Sequence, residues 1–217
     1  MKKILLVSVL AALAYVGCKK KESTVSMTVT ASFPVVTITG TQYFSIPVGG
    51  SLPTVNAVAY DTFYRDSLPV VIDQAGLDNT TPGLYIVTAS AKNKYGYVGS
   101  ASVYVAVTNI SPLINLAGQY IRLSNNDTVH VSKMATGLYL TDNVGGVLAT
   151  SPTAILPGYF VQTDMTTILL PSQPSGGNTL SGINGACSLV PADTTYQYVI
   201  VSPSSIFAQS TRVFKKI

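Results

Sequence analysis

From residue 34 onward the chain is a series of short runs in which apolar and polar residues alternate, separated by Gly, Pro, Asn or Asp. Extended backbone turns successive side chains to opposite sides, so a period of two lays one face on a core and leaves the other in water. Residues 35–38, 43–48, 55–60 and 70–72 are the first strands this pattern predicts. The clearest signal follows: Thr81, Pro82 and Gly83 form a turn, residues 84–91 a strand, Asn93, Lys94, Tyr95 and Gly96 a reversal, and residues 97–107 the antiparallel return. In the return, Val103, Val105 and Val107 share one face while Tyr104 and Ala106 share the other. This is a β-hairpin at the end of a sandwich. The turn after Pro82 is expected to need a positive φ at Gly83, which glycine adopts at little steric cost.

A second set of runs begins after residues 108–113, where the alternation breaks around Pro112. Residues 118–122, 129–133, 137–142, 158–161, 196–201 and 210–214 read as strands, and residues 171–178, rich in Pro, Ser and Gly, as a loop. His130 stands between Val129 and Val131 and therefore belongs to a solvated face. Abundant Val, Thr, Tyr and Ile with only 10% charged residues suit many short strands and not long amphipathic helices. The expected fold is all-β, with a β-sandwich over residues 34–108 and a second antiparallel β-sandwich or small barrel over residues 113–217.

Residues 1–17 follow a different pattern. Lys2 and Lys3 precede an uncharged apolar stretch, residues 4–16. That stretch is shorter than the roughly 20 residues of a spanning helix, so it reads as a secretory signal peptide. Tyr15, Val16, Gly17 and Cys18 resemble the lipobox of bacterial lipoproteins, with Tyr15 standing where Leu is usual. The resemblance implies cleavage before Cys18 and a diacylglycerol on its thiol. Acyl chains bind a bilayer with about 0.8 kcal/mol per buried CH₂, so the membrane becomes a permanent partner and residues 18–33 a lipidated tether.

Charge narrows the partners further. Two of the thirteen basic residues leave with the signal peptide, and the remaining eleven face nine acidic ones. Without a clustered basic face the chain is not expected to bind nucleic acid. Lys19, Lys20 and Lys21 are placed beside lipid headgroups, and Lys215 with Lys216 in a solvated terminus. With Cys18 acylated, Cys187 has no disulfide partner in the chain, and with no basic neighbour it reads as a small buried hydrophobe. One His leaves little room for a zinc site or a Ser-His-Asp triad. Asp142 and Asn143 fit only the start of a calcium loop and read, with Gly145 and Gly146, as a tight turn. The other Asp residues sit in or beside predicted turns, where their side chains bond nearby backbone N–H groups. No metal, no cofactor and no enzymatic centre is therefore expected.

Pro47, Val48, Gly49, Gly50 and Ser51, then Val58 to Asp61, then Pro82, Gly83, Leu84 and Tyr85, then Ala91 to Gly96, resemble a bacterial immunoglobulin-like domain. The resemblance covers residues 34–107 and implies that Tyr85 packs or hydrogen-bonds near the strand entrance. Val131 to Met134 with Gly137, Leu138, Tyr139 and Asp142 resemble the C-terminal module of Bacteroidota outer-membrane lipoproteins, some associated with polysaccharide utilisation. This implies a non-catalytic binding module that captures polysaccharide, alone or within an outer-membrane transporter complex. Exposed rings stack on sugar faces, and Tyr60, Phe63 and Tyr64 in one expected loop and Tyr95 and Tyr97 at a hairpin tip are the candidates. The competing reading of these rings is packing over the core. The alternative function is a structural or adhesive spacer. Surface display is preferred to the periplasmic face, although Lys19, Lys20 and Lys21 stand where surface lipoproteins of this kind commonly carry acids.

Overall fold

The fold comes from a computed structural model that describes residues 31–217; the expected signal peptide, the expected lipidation at Cys18 and most of the expected tether fall outside the described residues. The first body contains β1 (Val35–Thr39), β2 (Tyr43–Ile46), β3 (Asn56–Asp61), β4 (Asp66–Leu68), β5 (Val71–Asp73), β6 (Gly83–Lys92) and β7 (Val98–Val107). They form a three-stranded sheet ordered β1-β3-β4 and a four-stranded sheet ordered β2-β7-β6-β5. All pairs are antiparallel except β2 with β7. Ile38, Ile46, Val55, Val87, Ala89, Val103, Val105 and Val107 make the core between the sheets. These are the inward positions of the alternating runs.

Gly83 departs from expectation. It opens β6 without a positive φ, because Pro82 and Gly83 lead straight into the ladder. Tyr85 closes the preceding turn, its hydroxyl donating to the Thr81 carbonyl at 2.8 Å.

The second body contains β8 (Gly118–Arg122), β9 (Thr128–Ala135), β10 (Leu138–Thr141), β11 (Gly158–Gln162), β12 (Ile168–Leu169), β13 (Gln173–Ser175), β14 (Asn178–Ser188), β15 (Thr195–Ser202) and β16 (Thr211–Lys216). These are one sheet in the order β12-β11-β10-β9-β8-β16-β15-β14-β13. Two antiparallel meanders meet where β16 pairs with β8. The sheet curls until β12 reaches β14, where the Gly182 and Cys187 N–H groups donate to the Leu170 and Thr166 carbonyls at 2.9 and 2.7 Å and Thr167 bridges Ala186. The curled sheet leaves β13 at its margin and encloses an interior of the kind that side chains fill in barrels of about eight strands. Tyr120, Tyr139, Phe160, Tyr196, Tyr198 and Phe214 fill it here, all fully buried.

Two expectations are corrected in this body. Residues 171–178 are not simply a loop: they include β13, paired with the start of β14 around Gly176 and Gly177. Lys215 and Lys216 are not a solvated terminus, because β16 lies between β8 and β15. Lys215 pairs with Asp193 at 2.8 Å, and the Lys216 ammonium donates to the Ala117 carbonyl at 2.6 Å. His130 is exposed and Cys187 buried, as expected. Burial pushes the Cys187 thiol up to about 11, with the charge of Asp164 adding to the shift.

Residues 32–217 form one compact unit. Ala106, Leu138 and Val161 bury a third apolar cluster between the two bodies, flanked by Tyr43, Tyr104 and Tyr159. The Thr108 hydroxyl donates to the Gln162 carbonyl at 2.7 Å across the same joint.

Candidate functional site

Two turns at one end of the sandwich carry most of the candidate rings. The first links β3 to β4 across residues 62–65, and the second links β6 to β7 across residues 93–97. They belong to different sheets and are held together from below by Asp61, whose carboxylate is 1% exposed. It accepts from the Phe63 and Tyr64 N–H groups at 3.0 and 3.1 Å, from the Ser32 hydroxyl at 3.0 Å and from the Asn93 amide at 2.9 Å. Asn93 in turn donates to the Ser32 carbonyl and accepts from the Tyr95 and Tyr97 N–H groups. Gly96 completes the second turn at φ +91°, a left-handed conformation that glycine adopts without steric penalty. Arg65 takes φ +56° in the first turn.

Above this lock stand Phe63, Tyr64 and Tyr95. Phe63 meets Tyr64 edge-on with centroids 4.9 Å apart, and Tyr64 lies 4.9 Å from Tyr95. Phe63 and Tyr95 are 60% and 58% exposed, and Tyr64 is half-buried between them. The Lys94 ammonium lies 4.6 Å from the Tyr64 centroid and 5.2 Å from that of Tyr95, a cation–π contact worth about 0.5–1 kcal/mol at an exposed position. Partial burial, followed by the neighbouring Tyr95, holds the Tyr64 phenol above its ordinary value.

The other two candidate rings lie apart from this row. Tyr60 is not in a loop but in β3, because its side chain alternates with those of the inward Ala59 and Asp61. It points outward beside Val35 and Val58 over a depression of about 330 Å³ on the outer face of the β1-β3-β4 sheet. Tyr97 is half-buried and packs on Phe33 at 5.2 Å, a ring that is itself 58% exposed.

Sequence reading missed another ring group. Tyr43, Tyr104 and Tyr159 gather beside the joint, with centroids 4.4 to 5.8 Å apart and a 2.9 Å hydrogen bond between the Tyr43 and Tyr159 hydroxyls. The outward parity of Tyr104 was visible in β7, but its partners come from residues far apart in sequence. These rings seal the two bodies together.

No protein-family model and no curated protein matches the chain. Among solved structures, the crystal structure of a lipoprotein from Bacteroides thetaiotaomicron is similar at 16% identity with a TM-score of 0.38, over 84% of this chain and 98% of that one. A likeness this distant carries no functional argument.

Asp61 makes the lock sensitive to acid. Burial alone would raise its pKa, but the hydrogen bonds from Asn93, Tyr64, Ser32 and Phe63 outweigh that effect and hold it below the ordinary 3.8. A carboxylate with a depressed folded value contributes stability in full above its unfolded pKa and loses it as pH falls through the folded one. Tyrosine fluorescence of the tip is therefore expected to hold through pH 5 and to change only below about 3.8. Asp61→Asn is expected to lack that acid transition. If the substituted chain titrates identically, Asp61 is not the group responsible.

Proposed function

We propose that the protein is an outer-membrane lipoprotein, anchored through lipid on Cys18, that acts as a non-catalytic binding module and captures polysaccharide at the cell surface. The observation that carries this reading is the exposed row of Phe63, Tyr64 and Tyr95, set on two turns that Asp61 and Asn93 hold in place. Solvent-exposed rings on a braced support offer apolar faces to a sugar at low ordering cost, since their positions are set before binding. The filled barrel interior directs attention to the same outer surface. Support for the anchor comes from the Tyr15 to Cys18 motif behind a short apolar signal. We read the two-sheet body as immunoglobulin-like, from the ordered motifs in residues 34–107 and the sandwich they form. A spacer role also has support: the shared apolar cluster at the joint stiffens the passage from the sandwich to the barrel.

Intact cells producing the protein test the proposal when incubated with fluorescent polysaccharides and, separately, with protease. Wild-type cells are expected to retain polysaccharide and to lose it on protease treatment. Phe63→Ala with Tyr95→Ala is expected to abolish retention at an unchanged protein level. Cys18→Ala is expected to release the protein from the membrane fraction. Complete protection from protease, with digestion only after lysis, sinks the surface assignment, and a failure of wild-type cells to retain any polysaccharide favours the spacer.

A further inference from the structure

Building on the reading of this tip as a saccharide platform, we propose that its ligand is an acidic polysaccharide, one whose sugar rings carry carboxylates. Of the eight basic residues between positions 31 and 217, three lie on these two turns or at their base: Arg65, Lys92 and Lys94, all exposed. Among the described residues the one ion pair is Lys215 with Asp193, so none of the three has a carboxylate partner there. The nearby acids do not neutralise them directly. Asp61 is buried and occupied by its own hydrogen bonds, and Asp66, exposed at the start of β4, forms no ion pair with Arg65, Lys92 or Lys94.

The position of Lys94 gives the site a means of discrimination. Its ammonium covers the faces of Tyr64 and Tyr95, where a sugar would stack. A neutral sugar has to displace that cation and offers no charge in return. A uronate displaces it too, but its carboxylate accepts a charge-assisted hydrogen bond from the same ammonium, an interaction stronger than the cation–π contact it replaces. The carboxylate of a uronate projects from the edge of the ring whose face stacks. One sugar unit therefore satisfies both the ring and the cation. Arg65 and Lys92 stand ready for carboxylates on neighbouring units of the polymer. Lys94 thus obstructs neutral chains and holds acidic ones.

Native affinity electrophoresis of the full chain in non-ionic detergent tests this, using gels that contain polygalacturonate, a neutral β-glucan or neither. Polygalacturonate is expected to bind about tenfold more tightly than the glucan, and to lose its hold near 1 M salt, where charges are screened beyond about 3 Å. Tyr95→Ala and Lys94→Ala are each expected to weaken polygalacturonate about tenfold, and Lys94→Gln to bring the two polysaccharides to similar affinity. Unchanged melting temperatures show that these surface variants fold. Equal or tighter binding of the glucan by the wild-type chain overturns the acidic assignment while leaving the saccharide platform in place. Binding of neither overturns both readings. Polygalacturonate binding that ignores all three substitutions overturns the assignment to this tip. Sedimentation with phosphatidylglycerol vesicles, without retention by polygalacturonate, makes a lipid headgroup the ligand and overturns the proposal.

Discussion

Tyr196→Ala is expected to destabilise the protein by about 3–5 kcal/mol, the range for truncating a buried aromatic ring, whereas Tyr196→Phe is expected to cost nothing measurable. The Tyr196 ring lies in the middle of the barrel, with centroids of Tyr120, Phe160, Tyr198 and Phe214 at 4.8, 5.3, 5.9 and 4.7 Å. Truncation opens a cavity bounded by four rings, which cannot collapse without dragging strands inward. The hydroxyl is a separate matter. It is buried with no hydrogen-bond partner, although Thr141 is near enough to influence its ionisation, so its removal relieves a desolvation penalty. Tyr198 is the control: its hydroxyl donates to the Val144 carbonyl at 2.9 Å, and Tyr198→Phe should cost about 1 kcal/mol. Urea unfolding of the full chain measures all three. A loss in Tyr196→Phe equal to that in Tyr198→Phe would show that the Tyr196 hydroxyl is bonded after all.

The second large effect is expected at the seam of the barrel. Gly185→Ala places a methyl 2.0 Å from the Ile168 carbonyl oxygen and 2.9 Å from its carbon. The obstacle is backbone, so no rotamer change removes it, and β12 must move off β14. Overpacking of this kind costs about 1–3 kcal/mol or more, and the bonds from Gly182 and Cys187 that close the sheet lie on either side. Gly76→Ala is the contrast, since nothing lies within 4 Å of the added methyl and φ is ordinary; it should be neutral or slightly stabilising. Seam opening has its own readout in Cys187, which is buried beside it. In a Cys18→Ser background, Gly185→Ala is expected to raise the reaction rate of Cys187 with a thiol reagent severalfold. Slow labelling at wild-type rate, with unchanged stability, would mean that the seam accommodates the methyl.

The strands most visible in the sequence were those with one wet and one dry face. Residues 84–91 and 97–107 became β6 and β7 to within two residues at either end, because Val87, Ala89, Val103, Val105 and Val107 leave no alternative register for the buried side. β14 was not legible. Its run of Gly182, Ile183, Asn184 and Gly185 breaks the period of two, and the ladder shifts register there with Asn184 at φ +53°. A bulge puts an extra residue in one strand and so erases the alternation that announces a strand. β13 was hidden by Pro174, a residue compatible with a strand at the margin of a sheet.

The candidate site was half legible for a similar reason. Residue type and turn position pointed to Phe63, Tyr64 and Tyr95, but nothing local indicated that turns thirty residues apart would share one support. That information lies in the bond from Asn93 to Asp61, a contact between sheets. The misplacement of Tyr60 came from treating the end of a strand as part of its loop.

Ser32 belongs to the same support, since it bonds both Asp61 and Asn93, and it is also where the chain arrives from the tether. Fourteen peptide steps separate Cys18 from Ser32, and at 3.3–3.6 Å per residue they reach on the order of 50 Å at full stretch. On the proposed lipid anchor, that span is the greatest distance at which Ser32 can stand from Cys18. Phe63, Tyr64 and Tyr95 stand on the support that Ser32 joins. A polysaccharide held at these rings, as proposed, would stay within that distance of the bilayer, and a pull on Ser32 would fall first on its hydrogen bonds to Asp61 and Asn93.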